Sequence, residues 1–516
     1  MGFVLSRPAA PSPTGLKTLT IRNLSLTPLE VKLAESLPAA DKSGGLVKTP
    51  SRPSSPSHGK SHEPDTPQPF PLATAVEGTI EPFSERHTAL YAPDGARHEQ
   101  LRLTFEDPST GHLYSAEFPS PSRRSIVLKA HPKDNEVETK EFTAIYLAEH
   151  AYLALFSSAN LSSWMSTVDP ALPLSALSIP GTHNSPTCHV ALPSVRCQAV
   201  PVLEQLNNGV RFLDVRVSCP VYNRKGSNAT AIPSSPKEDD DVVAAASVPE
   251  LALVHSAFPI SLTGPKYLSS LLEAVYAFLS AHPSETVLLS LKREGIGRGT
   301  DADLARILHA HYVRPHRDRW YTSPRVPTLA QSRGRIVLVR RYHAADAVPH
   351  SEGGIDGSAW PDNVADGTCG SGTIRIQDYY AIGNGSEIKQ KVRFAQEGLA
   401  RAAAQVQAAG VCSSTAAAAK SGKQGPPKTP PLFINFLSAS NFFNASCWPD
   451  RIAFKINPSM IEYLCMKHGA EDKGFGEFGV GDAATGIVVT DWVGHHGDWD
   501  LLRCIVGWNA RLQLQQ

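Results

Sequence analysis

The chain has no excess charge of either sign, because its 49 Lys and Arg residues balance 49 Asp and Glu residues. A chain without basic excess has no long-range attraction for nucleic acid or for an anionic membrane surface. It also lacks any run approaching the roughly 18 consecutive apolar residues that a membrane-spanning helix needs. Its eight cysteines include no CxxC pair, so neither a structural zinc site nor a small disulfide scaffold is indicated.

The N-terminus lacks the pattern of a secretory signal, because Pro8, Pro11 and Pro13 interrupt its short apolar run at once. The first six residues, MGFVLS, fit the loose pattern for myristoylation at Gly2. That pattern alone leaves lipidation open. We expect a cytoplasmic or peripheral membrane protein, and a monomer.

Short alternating runs between residues 16 and 157 indicate an N-terminal β domain. LKTLTIRN, EQLRLTFE and FTAIYLAE alternate apolar and polar residues, and turn residues separate such runs. This pattern predicts a small antiparallel β-sandwich, preceded by a flexible N-terminus over residues 1–15. Residues 38–78 are rich in Ser, Pro, Lys and Gly and are predicted to be a disordered insertion. The domain has no cluster of catalytic residue types, so we interpret it as a scaffold or lipid-surface module.

Residues 165–516 have a different pattern, in which eight short apolar runs alternate with helical stretches. The runs are ALSIPGTH, VRFLDVR, LALVH, TVLLSLK, RIVLVRR, TIRIQD, LFINFLS and GIVVTD. The stretches with helical periodicity cover residues 200–208, 266–281, 302–312, 388–409, 458–468 and 501–512. The alternation predicts an α/β fold, a distorted (β/α)8 barrel of the TIM type. No clear helix separates runs two and three, or five and six, and residues 223–248 and 411–431 are predicted to be flexible insertions.

Chemically versatile side chains stand at or near the ends of most of these runs, where a barrel of this type carries its active site. They are His183, Arg216, His255, Lys292, Arg341, Asp378 and Asp491. Asp214 and Arg216 are two residues apart on one strand, so they are expected to share its inward face. Two imidazoles can exchange protons with a nucleophile and a leaving group while an arginine stabilises charge on phosphate. The set therefore suits phosphoryl chemistry.

The motifs at these positions resemble a known family. SIPGTHNS, VRFLDVRV, LALVHSAF and ETVLLSLKRE resemble, in order and spacing, the X domain of phosphatidylinositol-specific phospholipase C. Downstream, GRIVLVRRY, WPDN, IRIQDYY and GIVVTDW are similar to the single-domain bacterial enzymes. The resemblance covers residues 169–508 and implies a distorted barrel that cleaves phosphatidylinositol. In this family the inositol 2-hydroxyl attacks phosphorus, and the products are inositol 1,2-cyclic phosphate and diacylglycerol.

The resemblance also implies roles for individual residues. His183 would be the general base, Asp491 would orient it, His255 would be the general acid, and Arg216 would bind the phosphate oxygens. The substrate-binding residues implied are Asn184, Asp214, Lys292, Arg341, Asp378 and Tyr380. The doublet at residues 340 and 341 leaves the inositol-binding arginine open, and we favour Arg341 because it lies closer to the strand end.

One position departs from the bacterial pattern, which has Asp after the first catalytic histidine where this chain has Asn184. An amide cannot raise an imidazole pKa as a carboxylate does, so His255 is expected to be less basic than in the relatives. Asp214 is a candidate for a substitute partner of His255.

A metal is not expected. Eukaryotic relatives bind calcium through two carboxylates on the second strand and one on the fourth, but two of these positions hold Arg216 and Lys292 here. Asp214 and Asn184 alone are too few for an ion that prefers six to eight oxygen ligands. The resemblance and the electrostatics both imply a metal-independent enzyme without a cofactor.

A neutral protein must reach its lipid through burial of apolar side chains at the membrane surface. The loop SASNFFNASCWP after the seventh run carries Phe442, Phe443 and Trp448, which are the predicted interface residues. The two phenylalanines fit an ordinary core equally well, and Trp448 is the stronger candidate because it adjoins Pro449 at a turn.

Other functions remain open at this stage. The chain could be a non-catalytic module that binds inositol lipids, or a phosphodiesterase acting on glycosylinositol or inositol-sphingolipid head groups. A metal-dependent barrel phosphodiesterase is disfavoured, because Arg216 and Lys292 stand where its carboxylate ligands would be needed.

Overall fold

The computed structural model describes residues 17–37, 73–75, 78–93, 99–120, 123–131, 139–222, 249–344, 347–369, 372–405, 429–469 and 481–515. The predicted flexible N-terminus, the insertion at residues 223–248 and most of residues 38–78 and 411–431 lie outside these ranges. The chain divides into two compact units, Met1–Ser158 and Ala159–Gln516. No helix in the described ranges is long and apolar enough to cross a membrane.

The N-terminal unit consists of β-strands in two sheets. The strands are β1 (Thr18–Leu24), β2 (Leu29–Leu37), β3 (Ala73–Ala75), β4 (Thr79–Ile80), β5 (Ser84–Tyr91), β6 (Gln100–Glu106), β7 (Leu113–Phe118), β8 (Ser125–Val127), β9 (Lys129–His131), β10 (Phe142–Leu147) and β11 (Tyr152–Ser157). One sheet has the order β5-β1-β11-β10-β8, and the other β3-β2-β6-β7-β9 with β4 beside β2. The pairing of β1 with β11 is parallel, whereas the sequence predicted antiparallel pairs only. Both sheets contribute to one hydrophobic cluster, which includes Ile21, Leu153, Val31 and Phe105.

The C-terminal unit alternates strands and helices. Its strands are β12 (Ile179–Thr182), β13 (Phe212–Ser218), β14 (Ala252–His255), β15 (Phe258–Pro259), β16 (Val287–Arg293), β17 (Trp320–Tyr321), β18 (Ile336–Arg341), β19 (Ile355–Asp356), β20 (Gly367–Cys369), β21 (Ile374–Gln377), β22 (Leu432–Phe436) and β23 (Ile487–Thr490). Its α-helices are α1 (Val202–Asn207), α2 (Leu268–Ala281), α3 (Asp301–Ile307), α4 (Leu329–Ser332), α5 (Ile388–Ala403), α6 (Pro449–Met466) and α7 (Asp500–Gly507). The mixed α/β class predicted from the sequence is confirmed.

Seven consecutive parallel strands form the central sheet of this unit, in the order β18-β16-β13-β12-β23-β22-β21. The sheet curls around a core supplied by residues such as Ile179, Phe212, Val337 and Ile434. Within the described ranges no pairing joins β18 or β19 to β20 or β21, so the curled sheet is open on that side. Closure into an eight-stranded barrel stays a prediction.

The third predicted barrel strand is not a parallel strand. LALVH forms β14, which pairs antiparallel with the end of β13 through Leu253 opposite Val217 and then forms a hairpin with β15. A parallel connection usually needs a crossover that packs on the sheet, and the sequence already showed no helix between these two runs. His255 therefore reaches the C-terminal edge of the sheet from a hairpin.

The helix predicted over residues 458–468 begins nine residues earlier. Helix α6 starts at Pro449. Proline is well tolerated at the first helical position, because an N–H there would have no hydrogen-bond acceptor within the helix. Pro458 lies inside the helix, which continues because one face is buried on both sides of it, from Ile452 to Met460. The prediction that the helix starts at Pro458 was therefore wrong, because burial of one face continues the helix on both sides of this proline.

The predicted helix over residues 302–312 is divided in the structure. Helix α3 ends at Ile307, and a π-helical segment follows, Leu308–Val313.

A buried ion pair fixes the N-terminal ends of β13 and β16. Arg211 immediately precedes β13, and its Nε atom donates to Glu285 at 2.8 Å. Both side chains are fully buried. The remaining guanidinium protons go to backbone carbonyls, those of Leu161, Ser162, Leu206 and Val210. Burial lowers the pKa of Arg211 to about 10, although Glu285 favours the charged form.

We predict that Glu285→Gln lowers the free energy of unfolding of the C-terminal unit by about 3–5 kcal/mol, because it leaves a buried guanidinium without its counter-charge. Urea denaturation followed by tryptophan fluorescence measures this directly, since all seven tryptophans lie in the C-terminal unit. Glu397→Gln is the control, because its ion pair with Arg393 is exposed and should contribute about 0–1 kcal/mol. Equal losses in the two variants would contradict a structural role for the buried pair.

Candidate active site

The first predicted histidine and the last predicted carboxylate meet at the centre of the sheet edge. β12 and β23 pair in parallel with Thr182 opposite Thr490, so the next residue of each strand, His183 and Asp491, lie side by side. The His183 Nδ1 atom lies 2.9 Å from the Asp491 carboxylate. A carboxylate accepts, so Nδ1 carries a proton, and in the neutral ring Nε2 has the lone pair. Burial disfavours the imidazolium, but Asp491 outweighs it and holds the pKa of His183 above its ordinary value.

The second histidine lies opposite the first. His255 ends β14, and its Nδ1 atom is 2.9 Å from the carbonyl oxygen of Val195. A carbonyl only accepts, so this Nδ1 also carries a proton. The rings of His183 and His255 are perpendicular, with centroids 5.8 Å apart. Two imidazoles this close together can give and take protons at one reacting centre.

Asp214 does not serve His255 as the sequence suggested. Its carboxylate is fully buried and lies 3.2 Å from Arg216 and 3.2 Å from Arg341, and it accepts the backbone N–H of Asn184. Burial raises the pKa of Asp214, but the two guanidinium groups hold it far below its ordinary value. Two cations already pair with this carboxylate, and the partner of His255 is the Val195 carbonyl instead.

Arg216 and Lys292 share one carboxylate partner, Glu294, which the sequence analysis did not single out. Glu294 accepts from Arg216 at 3.1 Å and from Lys292 at 2.7 Å. Burial raises the pKa of Glu294, and Arg216 and Lys292 together lower it to about 2. The sequence held a usable signal, because Glu294 follows Lys292 by two residues at the end of β16 and shares its face.

A second group of predicted residues surrounds Trp360. The Arg341 guanidinium lies 3.9 Å from the centre of the Trp360 ring, and the Trp360 Nε1 donates to Asp378 at 2.9 Å. Tyr380 donates its hydroxyl to Asp362 and keeps an exposed ring. Arg340 points away and pairs with Asp356. The alternation of strand residues thus puts Arg341, and not Arg340, on the side of the sheet that carries the site.

The sequence analysis did not identify two further titratable side chains of this unit, Cys197 and Lys391. Cys197 is fully buried, with its Sγ atom 3.7 Å from His255 Nδ1 and 4.0 Å from Asn184 Nδ2. Lys391, on α5, is also fully buried and donates to Gln377 at 3.0 Å; burial lowers its pKa to about 7. A single cysteine without a spaced partner, and a lysine within a helix, carry no motif that would have identified them.

His183, His255 and Asp491 are each followed by a residue with left-handed backbone. The φ angles are 42° at Asn184, 53° at Ser256 and 58° at Trp492, which follow His183, His255 and Asp491. Residues other than glycine adopt such angles rarely, and they cluster at functional sites. The chain therefore turns sharply directly after each of these side chains.

The three aromatic residues predicted for the membrane differ in exposure. Phe443 is 94% exposed and Phe442 is 42% exposed, whereas Trp448 is half-buried at the start of α6. Phe442 stacks on Phe258, with centroids 5.3 Å apart and an interplanar angle of 9°. Phe258 belongs to β15, directly beyond His255. The exposed aromatic surface therefore adjoins the site and centres on the two phenylalanines.

Residues 171–342, which include His183, Arg216 and His255, match the family model described as phosphatidylinositol-specific phospholipase C, X domain. The resemblance predicted from the motifs is confirmed over these residues.

The chain is similar to two bacterial proteins named 1-phosphatidylinositol phosphodiesterase. The one from Listeria monocytogenes is 28% identical over 199 residues, which cover 36% of this chain and 51% of the relative. The one from Staphylococcus aureus strain Newman is 23% identical over 364 residues, covering 68% of this chain and 93% of the relative. The chain thus spans about half the length of the Listeria relative. A crystal structure of the S. aureus phosphatidylinositol-specific phospholipase C has a TM-score of 0.48 at 20% identity, covering 67% of this chain and 97% of that one.

We predict that Asp491→Asn lowers the pKa of His183 by about 1–3, because an amide removes the negative charge that stabilises the imidazolium. A pKa raised in the folded chain means that the protonated pair stabilises the fold below the unfolded pKa. That contribution is lost as the pH rises through the folded pKa. NMR titration of the histidine ring nitrogens measures the shift. Asp378→Asn is the matched control, and a change of the same size there would exclude a specific pairing of Asp491 with His183.

Proposed function

We propose that the chain is a phosphatidylinositol-specific phospholipase C that produces inositol 1,2-cyclic phosphate and diacylglycerol. The observation that carries the proposal is the pair of perpendicular imidazoles, His183 and His255, whose centroids are 5.8 Å apart beside buried guanidinium groups. Each imidazole has its Nδ1 proton held by an acceptor, so each ring is fixed and offers Nε2 for proton transfer. The names of the bacterial relatives support the same activity.

The chemistry follows from these contacts. His183 Nε2 takes the proton of the inositol 2-hydroxyl while its oxygen attacks phosphorus, and Asp491 stabilises the imidazolium that forms. The bond from phosphorus to the diacylglycerol oxygen breaks, and protonated His255 gives that oxygen its proton. Arg216 stabilises the charge on the non-bridging phosphate oxygens. The formation of the cyclic phosphate does not need water, because the attacking hydroxyl and the phosphate belong to the same head group.

The second group of side chains is proposed to bind the inositol ring. Arg341 and Asp378 present a donor and an acceptor suited to ring hydroxyls, and Trp360 holds both in place. The exposed ring of Tyr380 is suited to stacking on the inositol face. Asn184, Asp214 and Lys292 complete the predicted set: Asp214 and Lys292 balance the charges around Arg216, and Asn184 lies 3.4 Å from His183 Nε2.

Calcium does not fit this site. Both carboxylates near Arg216 are already held by cations, Asp214 by two guanidinium groups and Glu294 by Arg216 and Lys292. Calcium needs six to eight oxygen ligands, and here it would have to displace two buried ion pairs to reach two carboxylates. The guanidinium of Arg216 supplies the positive charge that a metal supplies in calcium-dependent relatives.

We further propose that the curled sheet is a distorted (β/α)8 barrel and that the N-terminal sheets pack as a β-sandwich. The order of seven parallel strands supports the first, and the shared hydrophobic cluster of the two N-terminal sheets supports the second. An N-terminal sandwich without catalytic side chains suits a scaffold or a lipid-surface module.

We propose that the protein contacts its membrane peripherally, as a monomer, through the stacked phenylalanines. Phe258, Phe442 and Phe443 form a continuous aromatic surface beside His255, and Phe443 is almost completely exposed. Burial of apolar area at about 25 cal/mol per Å² favours insertion of these rings into lipid. Trp448 is half-buried and donates its Nε1 proton to the Phe442 carbonyl at 3.4 Å, so it supports the loop from below.

We predict that His183→Ala and His255→Ala each lower turnover of phosphatidylinositol by about 10³-fold or more, and that the double variant loses little further, because the residues act as a unit. The assay is run with a chelator present, where the unmodified protein should keep its full rate. Phosphatidylinositol, a glycosylinositol lipid and an inositol sphingolipid are compared as substrates. Binding without turnover in the unmodified protein would indicate a binding module, and wild-type turnover in either variant would refute the assignment.

We predict that Phe443→Ala weakens binding to phosphatidylinositol vesicles about tenfold, the value of roughly 1.4 kcal/mol of lost apolar burial. Vesicle sedimentation measures binding, and cleavage of a soluble short-chain substrate should change little. Phe454→Ala is the control, because Phe454 is 53% exposed but lies outside the aromatic surface. If both variants bind vesicles equally well, or if Phe443→Ala slows the soluble reaction as much as it weakens binding, the interface lies elsewhere.

A further inference from the structure

Three side chains of metal-ligating type converge at the centre of the site. His183, Cys197 and His255 each offer one ligand atom, and these atoms all lie within 4.8 Å of one another. We propose that this cluster is an inhibitory zinc site, in which one Zn²⁺ ion is bound by the thiolate and by both imidazoles. The site is distinct from the calcium position of the family, because it contains no carboxylate ligand.

The ligand chemistry favours zinc over the hard cations. Thiolate and imidazole suit Zn²⁺, whereas calcium and magnesium require oxygen ligands. Zinc bonds of about 2.0 Å to nitrogen and 2.3 Å to sulfur put tetrahedral ligands roughly 3.5 Å apart. The three ligand atoms already lie within 4.8 Å of one another, so side-chain shifts of about 1 Å would close the set.

The surroundings of the imidazoles resemble those of metal-binding histidines. Such histidines usually donate their second ring N–H to a carboxylate or to a backbone carbonyl, which fixes the ring and makes the other nitrogen a better ligand. Here His183 Nδ1 has the Asp491 carboxylate, and His255 Nδ1 has the Val195 carbonyl. In the neutral imidazoles both Nε2 atoms then have a free lone pair, and zinc would displace the second proton of His183 when it binds. Three protein ligands would leave the fourth zinc position for water or a substrate oxygen.

The neighbouring cations do not prevent a divalent ion from entering. Asp214 and Glu294 neutralise Arg216 and Lys292 through contacts of 2.7–3.2 Å. Cys197 is fully buried, but the His183 side chain remains 12% exposed, so the ion would approach from the imidazole side. Binding would occupy the lone pair that His183 needs as a base and remove the proton that His255 donates. Zinc would thus inhibit the enzyme, and a chelator would restore it.

The binding test does not depend on the proposed enzymatic function. The full-length chain, freed of metal by dialysis against a chelator, is titrated with Zn²⁺ by calorimetry and with Co²⁺ by absorption spectroscopy. We expect one ion per chain and, with Co²⁺, a thiolate-to-metal charge-transfer band in the near ultraviolet. Cys197→Ser should weaken zinc binding about 100-fold or more and abolish the band, since changes in the outer shell of a zinc site alone cost 10–100-fold.

The matched control is Cys188→Ser, because Cys188 is a half-buried free thiol nine positions earlier in the same segment. It should keep both the affinity and the band. The charge-transfer band of the unmodified chain tests the proposal even if Cys197→Ser fails to fold. Absence of a stoichiometric ion and of the band in the unmodified chain, or equal binding by the two variants, would overturn the proposal. Inhibition by zinc without the thiolate band would assign the effect to the histidines alone and would also refute it.

Discussion

The parallel pairing of β12 with β23 is the constraint on which the site depends. It joins segments 308 residues apart in the chain and sets Thr182 opposite Thr490, so that the following residues, His183 and Asp491, meet. Because strand side chains alternate between faces, a slip of one residue would turn either side chain away from the other. Gln198 fixes the register, since its amide donates to the carbonyl oxygens of His183 and Thr490. The contact between His183 and Asp491 is thus a product of sheet register more than of local sequence.

Charge balance is the second organising feature. Three cations and two carboxylates from β13, β16 and β18 form a connected network in which each carboxylate contacts two cations. Asp378 brings a third carboxylate to within 4.0 Å of Arg341, so cations and carboxylates are equal in number in this part of the site. Arg216 contacts both Asp214 and Glu294, so the network positions it more rigidly than a single ion pair would.

The sequence predicted the mixed α/β class and the strand ends well, because apolar runs with polar ends are a local pattern. It favoured Arg341 over Arg340 because Arg341 lies closer to the strand end, whereas in the structure alternation along β18 puts the two side chains on opposite sides. It failed where tertiary contacts decide the outcome. The start of α6, the antiparallel pairing of β14 and the partner of His255 depend on burial and on neighbouring strands. Cys197 and Lys391 were missed because convergence in space leaves no trace in spacing along the chain, whereas Glu294 could have been found from its position two residues after Lys292.

The left-handed residues that follow His183, His255 and Asp491 have a consequence for the stability of the protein as a whole. Each such conformation costs a non-glycine residue about 1 kcal/mol or more, and glycine would adopt it without that penalty. Asn184, Ser256 and Trp492 therefore hold the chain in bends that the rest of the fold must enforce. A stiff side-chain-bearing residue at each bend limits backbone motion where a few tenths of an ångström decide whether a proton can transfer. The fold gives up part of its stability for positional accuracy at three points, and all three lie within one site.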